Sequence, residues 1–118
     1  DGWCAREIVG HLIDSACNNH RRWIIGQTPG LEKFDGYVQN DWVSRQRYAD
    51  ESWPELVALW SAYNRHLRYV ISKTPAGHLL MSAMGPDGDG PVTLGFLMKD
   101  YVAHIRHHLE QVGRVTSL

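Results

Sequence analysis

The chain has 118 residues, 43% of them hydrophobic, and its 12 basic and 13 acidic side chains nearly balance. This length suffices for a single domain over residues 1–118 with a hydrophobic core of its own. The balanced charge gives no electrostatic basis for binding nucleic acid or an anionic membrane. No apolar run approaches the roughly 18 residues that a membrane span requires, so we expect no membrane partner.

The first long helix is predicted over residues 3–25, where apolar side chains recur at helical spacing. Gly26 and Pro29 follow and interrupt the pattern. Residues 31–50 lack a clear periodicity, so they predict a long connection that contains a short helix near residues 38–46.

The second long helix begins at Ser52, a good N-cap residue, and ends before Pro75. Glycine and proline dominate residues 85–91, which predict a loop. Thr93 is the predicted N-cap of a last helix, which we expect to end with Gly113 at its C′ position. No stretch of the sequence shows a strong strand pattern.

Three long amphipathic helices predict an all-α bundle, and a bundle of this kind usually needs a fourth helix to close its core. Because the sequence begins with Asp1 and not Met, we expect that residues preceding it are missing. The fourth helix would come from those residues or from a second copy of the chain. The unclosed helices therefore favour a homodimer.

The two cysteines, Cys4 and Cys17, both fall within the first predicted helix. At about 1.5 Å per residue they are roughly 20 Å apart, which is too far for a disulfide. We expect two free thiols, buried or half-buried, in a protein of the reducing cytoplasm.

The last helix contains three histidines within five residues, in the segment YVAHIRHHLEQV at 101–112. On a helical wheel with Tyr101 at zero, His108 falls near −20°, inside the apolar arc. His104 falls near −60°, at its margin, and His107 falls near −120°, outside it. We therefore predict that His104 and His108 stack one turn apart and both reach the interior edge, while His107 faces solvent or a neighbouring surface.

Two imidazoles one turn apart suit a transition-metal ion, whereas the alternative is a pair of hydrogen-bonded core histidines. A metal site needs a third ligand from another helix, for which the candidates are His11, His20, His66 and His78. On a wheel centred on Leu12, His20 falls inside the apolar arc and His11 outside it. The apolar pattern alone therefore favours His20.

Three stretches together resemble the DinB-like superfamily of small metal-binding four-helix proteins. They are WCAREIVGHLIDS at 3–15, the pattern FDxxVxxxWV at 34–43 with the capped helix after it, and GPVTLGFLMxxYVAHIRHHLEQV at 90–112. The resemblance implies an all-α four-helix bundle whose first helix precedes Asp1. It also implies a three-histidine site formed by His11, His104 and His108, which overrules the wheel for the first helix.

A site of three imidazoles leaves a coordination position open, which is typical of catalytic metal sites. The metal implied is divalent, with zinc or nickel ahead of iron or manganese. By resemblance, the protein is a metal-dependent transferase or hydrolase of a small molecule, with a low-molecular-weight thiol as one option for a partner. The alternatives are a non-catalytic metal-binding or stress-related domain, and a bundle whose histidines only hydrogen-bond.

Four further polar residues are candidates for a role at the site, and three of them also have a purely structural interpretation. Asp14 is a candidate to orient a ligand or accept a proton, or it is a solvated acid. Gln111 falls beside His104 on the wheel, so we expect it to support a metal ligand. Arg21 and Arg22 either bind an anionic substrate or form a solvated helix face.

Overall fold

The computed structural model describes residues 2–116. It contains four α-helices, namely α1 (Ala5–Ile25), α2 (Gln39–Gln46), α3 (Trp53–Lys73) and α4 (Leu94–Thr116). Short 3₁₀ turns occupy Tyr48–Asp50 and Ala76–Leu80. The predicted all-α bundle is confirmed, including the short helix in the connection. Within the described residues, no helix combines the length and the apolar character needed to cross a bilayer.

The helix ends follow the local chemistry of the sequence. The Glu55 N–H donates to Ser52 Oγ at 3.5 Å at the start of α3, and the Phe96 N–H donates to Thr93 Oγ1 at 3.1 Å at the start of α4. Both residues were predicted as N-caps. The predicted end of the last helix is wrong, since α4 continues through Gly113 to Thr116.

A small hairpin that the sequence pattern did not indicate precedes α4. Strand β1 (Ser82–Met84) pairs antiparallel with β2 (Pro91–Thr93), and Ala83 lies opposite Val92. Three-residue strands are too short to show an alternating pattern, which is why no strand was predicted. The Phe34 N–H donates to the Met84 carbonyl at 3.0 Å, which ties the long connection to the hairpin.

Helix α1 is the centre of the molecule and packs against α2, α3 and α4. All nine residues from Ile8 to Ala16 are buried, so this helix has no solvent face along that stretch. One core cluster surrounds Trp23 and the other surrounds Tyr48. The bundle therefore encloses α1 along this stretch, including its polar side chains His11, Asp14 and Ser15.

Cys4 and Cys17 are free thiols, as predicted. Both are exposed, so the expectation of burial was wrong. Cys4 is the N-cap of α1, and Cys17 lies on the exposed side of that helix.

Candidate metal centre

Helices α1 and α4 bring His11, His104 and His108 together. Each ring offers one nitrogen atom, and the three atoms lie within 4.8 Å of one another. His104 and His108 are one turn apart on α4, so their side chains project from the same face, and their Nε2 atoms are 3.2 Å apart. The ring of His11 approaches from α1, with its centroid 4.7 Å from that of His108.

The three rings differ in their exposure to solvent. His11 is 1% exposed and His108 is 6% exposed, whereas His104 is exposed on the outer side of the group. His107 is exposed as well, as the wheel predicted. The group is therefore closed from within by α1 and open to solvent at His104.

The wheel placed His11 outside the buried arc of α1, and this prediction was wrong. Neighbouring elements cover α1 on every side around His11, so its apolar arc does not mark the only buried direction. His20, which the wheel favoured, is half-buried, and its Nδ1 lies 2.8 Å from the Tyr63 hydroxyl. It belongs to a different cluster, in which its ring lies 5.3 Å from that of His66.

Burial favours the neutral imidazole at two of the three histidines, His11 and His104. The pKa of His11 is lowered to about 4, chiefly by burial and further by the neighbouring rings of His108 and His104. The pKa of His104 is lowered for the same reasons, first burial and then the charge of His108. A neutral imidazole is the form that binds a metal ion.

Gln111 contacts His108, whereas the helical wheel had placed it beside His104. Its Oε1 lies 2.9 Å from Nδ1 of His108. Because an amide oxygen only accepts hydrogen bonds, Nδ1 of His108 carries the hydrogen and Nε2 keeps its lone pair. That lone pair points toward His104, at the centre of the group.

The donor set fits a divalent metal ion. Two metal–nitrogen bonds of about 2.1 Å that meet at about 100° span the distance seen between the Nε2 atoms of His104 and His108. Nδ1 of His11 is buried and has no hydrogen-bond partner among the described residues. A buried nitrogen of this kind costs about 1–3 kcal/mol unless a group from outside the chain binds it.

Asp14 lies one turn beyond His11 on α1 and is 2% exposed. Its Oδ1 accepts hydrogen bonds from the Tyr48 hydroxyl at 2.6 Å and from Gln46 Nε2 at 2.7 Å. Oδ2 has no partner among the described residues. Burial raises the pKa of Asp14, although the two hydrogen bonds oppose that rise. The carboxyl group therefore joins α1 to the last residue of α2 and to the 3₁₀ turn that follows it.

A cavity of about 430 Å³ opens beside the histidine group. Its lining includes His104 and Tyr101 from α4, Ser15, Asn19 and Arg22 from α1, and Tyr37 from the connection. Sequence reasoning missed Ser15 and Asn19. They follow His11 at four-residue steps, so a search for polar residues along that face of α1 would have found them.

A helical bundle that gathers three imidazoles from two helices beside a cavity has the architecture of a small metal-binding protein. The sequence profile of the DinB superfamily matches residues 1–112, and the chain belongs to this superfamily. The family resemblance seen in the sequence is thereby confirmed.

Two relatives provisionally named metal-dependent hydrolases are similar along nearly the whole chain. A protein of Bacillus mycoides (strain KBAB4) is 28% identical over 120 residues, covering 99% of this chain and 65% of the relative. YfiT of Bacillus subtilis (strain 168) is 27% identical over 123 residues, covering 98% of this chain and 65% of YfiT. The chain thus spans about two thirds of the length of these relatives.

The solved structure of Bacillus subtilis YfiT, described as a probable metal-dependent hydrolase with an unusual four-helix bundle topology, has the same fold. The TM-score is 0.83 at 22% sequence identity, and the match covers 96% of this chain and 66% of that chain. The all-α four-helix class is therefore established.

Proposed function

We propose that His11, His104 and His108 bind one divalent metal ion and that the protein uses it to hydrolyse a small molecule. The observation that carries this proposal is the convergence of three imidazoles from two helices beside a cavity. Zinc and nickel suit imidazole ligands best, with iron and manganese as alternatives. A divalent ion held there supplies Lewis acidity, which lowers the pKa of water and polarises a carbonyl group.

The residues of the chain prepare the site in three ways. Burial keeps His11 unprotonated, so that acid does not compete with the ion near pH 7. Gln111 fixes the tautomer of His108. The exposure of His104 and its place in the cavity lining leave room for a small molecule next to the three rings. The provisional names of the two relatives also support hydrolysis.

Group transfer that depends on a low-molecular-weight thiol is the second candidate function. A thiolate is a good ligand for zinc and nickel, and a cavity of about 430 Å³ has room for a small thiol. Hydrolysis and thiol transfer are separated by incubating the metal-loaded protein with esters, amides and alkylating electrophiles, each with and without a small thiol. Turnover only when the thiol is present identifies the transferase.

Metal analysis of protein purified without a histidine tag tests the proposal itself. We expect close to one divalent ion per chain, and loss of the ion when His104→Ala and His108→Ala are combined. A low metal content that this double variant leaves unchanged contradicts the proposal and favours histidines that only hydrogen-bond. A full metal content without turnover on the whole panel favours a non-catalytic metal-binding or stress-related domain.

The homodimer and the cytoplasmic location stay predictions. Exposed apolar side chains on α4, among them Val102 and Leu109, offer a surface that a second copy can cover. Light scattering after size exclusion measures the mass in solution, and a monomer at high concentration would rule the dimer out. Fractionation of cells that produce the protein tests the location.

A further inference from the structure

A polar stripe on α1 leads from the histidine group into the cavity. Ser15, Asn19 and Arg22 come four, eight and eleven residues after His11. At about 100° per residue, all three fall within roughly 80° of His11 on the helix surface. Each of them lines the cavity that His104 also lines. The stripe thus places a guanidinium group in the cavity that His104 also lines.

The side chain of Arg22 is held in place by three contacts. Its Nε donates to the Asp35 carbonyl oxygen at 2.7 Å, and its Nη1 donates to Asn19 Oδ1 at 3.4 Å. The guanidinium carbon lies 5.7 Å from the centre of the Tyr37 ring. These partners are neutral, and Arg22 forms no ion pair with a carboxylate in residues 2–116. A positive charge is therefore positioned without being neutralised by direct contact.

Arg21, the adjacent residue, shows what an ordinary surface arginine looks like in this protein. Its side chain is 63% exposed and its Nη2 lies 3.6 Å from the Asp35 carboxylate. It does not line the cavity. The two arginines, which the sequence could not tell apart, therefore have different environments: Arg21 is solvated and paired, whereas Arg22 is half-buried and faces the cavity.

We propose that Arg22 binds an anionic group, a carboxylate or a phosphate, of the small molecule on which the protein acts. This inference rests on the proposed function and deepens it. The planar fork of a guanidinium matches both kinds of anion, and the cavity has the volume of a small-molecule site. The substrate then carries its reacting group beside His104 and its anionic group beside Arg22.

Three carboxylates, those of Asp87, Asp89 and Asp100, also line the cavity. All three residues are exposed, so solvent and salt weaken their charges, although the carboxylate of Asp87 still acts on Arg22 from a distance. Arg22 is half-buried, where an ionic interaction is stronger. The carboxylates would nevertheless favour a cationic ligand over an anionic one, so the experiment also tests a cation.

The test is a titration followed by ¹H–¹⁵N NMR, on the protein as purified and again after treatment with a chelator. Acetate, inorganic phosphate and ethylammonium are added separately at constant ionic strength. The signals to follow are Arg22 Nε–H and the backbone amides of Asn19 and Tyr37. The variants are Arg22→Gln, Arg22→Lys and the matched control Arg21→Gln.

We expect saturable shifts with acetate or phosphate, and whichever anion saturates identifies the group. The affinity should fall at least tenfold in Arg22→Gln and stay unchanged in Arg21→Gln. Arg22→Lys keeps the positive charge but not the planar fork of the guanidinium, so we expect an intermediate loss of affinity for the anion. If Arg22→Gln fails to fold, the affinity of Arg22→Lys tests the proposal instead. Linear shifts with both anions, an equal loss in Arg21→Gln, or saturation by ethylammonium alone overturns the inference.

The chelator arm separates this inference from the proposed function. Anion binding at Arg22 in a protein that binds no metal overturns the metal proposal alone. Metal binding at the three histidines without saturable anion binding overturns the anion site alone.

Discussion

Nε2 of His104 and Nε2 of His108 lie 3.2 Å apart, close enough for one to donate a hydrogen bond to the other. Gln111 assigns the hydrogen of His108 to Nδ1, so His104 is the donor between the two Nε2 atoms. A metal ion that binds both atoms must replace this hydrogen bond. The two Nε2 atoms are therefore already spaced as two ligands of one ion would be.

The three proposed ligands should be separable from the other histidines by mutation. We expect His11→Ala, His104→Ala and His108→Ala each to weaken zinc or nickel binding by more than about 100-fold, because a three-ligand site loses one bond. Isothermal titration calorimetry measures the affinities. His107→Ala and His20→Ala serve as controls and should bind normally. Loss of binding in His20→Ala together with normal binding in His11→Ala would contradict the proposed ligand set.

Gln111 should contribute to metal affinity without touching the ion. Gln111→Ala removes the acceptor that orients the ring of His108, so we expect a roughly 10- to 100-fold loss. Gln111→Glu keeps an acceptor and should recover part of the affinity. Glu110→Gln is the matched control on the exposed side of α4 and should have no effect. If the variants at Gln111 and Glu110 lose metal affinity equally, the loss does not come from the contact between Gln111 and His108.

Acid should destabilise the metal-free fold through His11. Its folded pKa of about 4 is below the unfolded value of 6.5, so between these values the unfolded chain binds more protons. The free energy of unfolding therefore falls as the pH falls. For His11 alone we expect a loss of about 2 kcal/mol between about pH 7 and pH 5.

Urea denaturation of wild type and His11→Gln at both pH values measures this contribution. The variant should lose less stability on acidification than the wild type does. Asp14 has a raised pKa and so contributes with the opposite sign, which is why the comparison is made between two proteins that both retain it. Identical pH dependence in the two proteins would refute the assignment to His11.

Asp14→Asn distinguishes a structural role from the proton-accepting role for which Asp14 stays a candidate. The amide keeps the shape but disturbs the hydrogen bonds with Tyr48 and Gln46, so we expect a loss of about 1–3 kcal/mol in the free energy of unfolding. Metal content should be unchanged. If turnover is found, its loss in this variant at full metal content would favour proton transfer, whereas unchanged turnover would exclude it.

Gly10 should be intolerant of any side chain. A Cβ atom there would overlap the ring of Tyr48, whose hydroxyl bonds Asp14. We expect Gly10→Ala to lower the free energy of unfolding by about 1–3 kcal/mol or more. Gly113→Ala is the control, because a Cβ at that position on α4 has open space and should raise stability by roughly 0.5–1 kcal/mol. Thermal unfolding of both variants checks the contrast.

The helix wheel placed the histidines of α4 correctly and His11 of α1 wrongly, and both outcomes have one physical reason. Around His104 and His108, α4 has one buried side, so an apolar arc marks the interior. Around His11, α1 is buried on every side, and the arc carries no such information. The third histidine was predicted only through the family resemblance. The sequence pattern alone would have chosen His20.

Long-range contacts explain what the sequence could not predict. The hairpin depends on pairing between residues 82–84 and 91–93, and each strand is too short to show its period. The difference between Arg21 and Arg22 depends on where the connection crosses α1, which brings the Asp35 carbonyl to the second arginine. Neither fact is encoded in a local spacing of residue types.

The exposure of His104 also determines how fast an ion can exchange. His11 lies in the fully buried stretch of α1, which is expected to open only when the whole protein unfolds, whereas His104 can swing into solvent by rotating its own side chain. Ion release to a chelator should therefore begin at His104 and proceed far faster than global unfolding. The lifetime of the loaded state is then set by one surface side chain and not by the stability of the bundle.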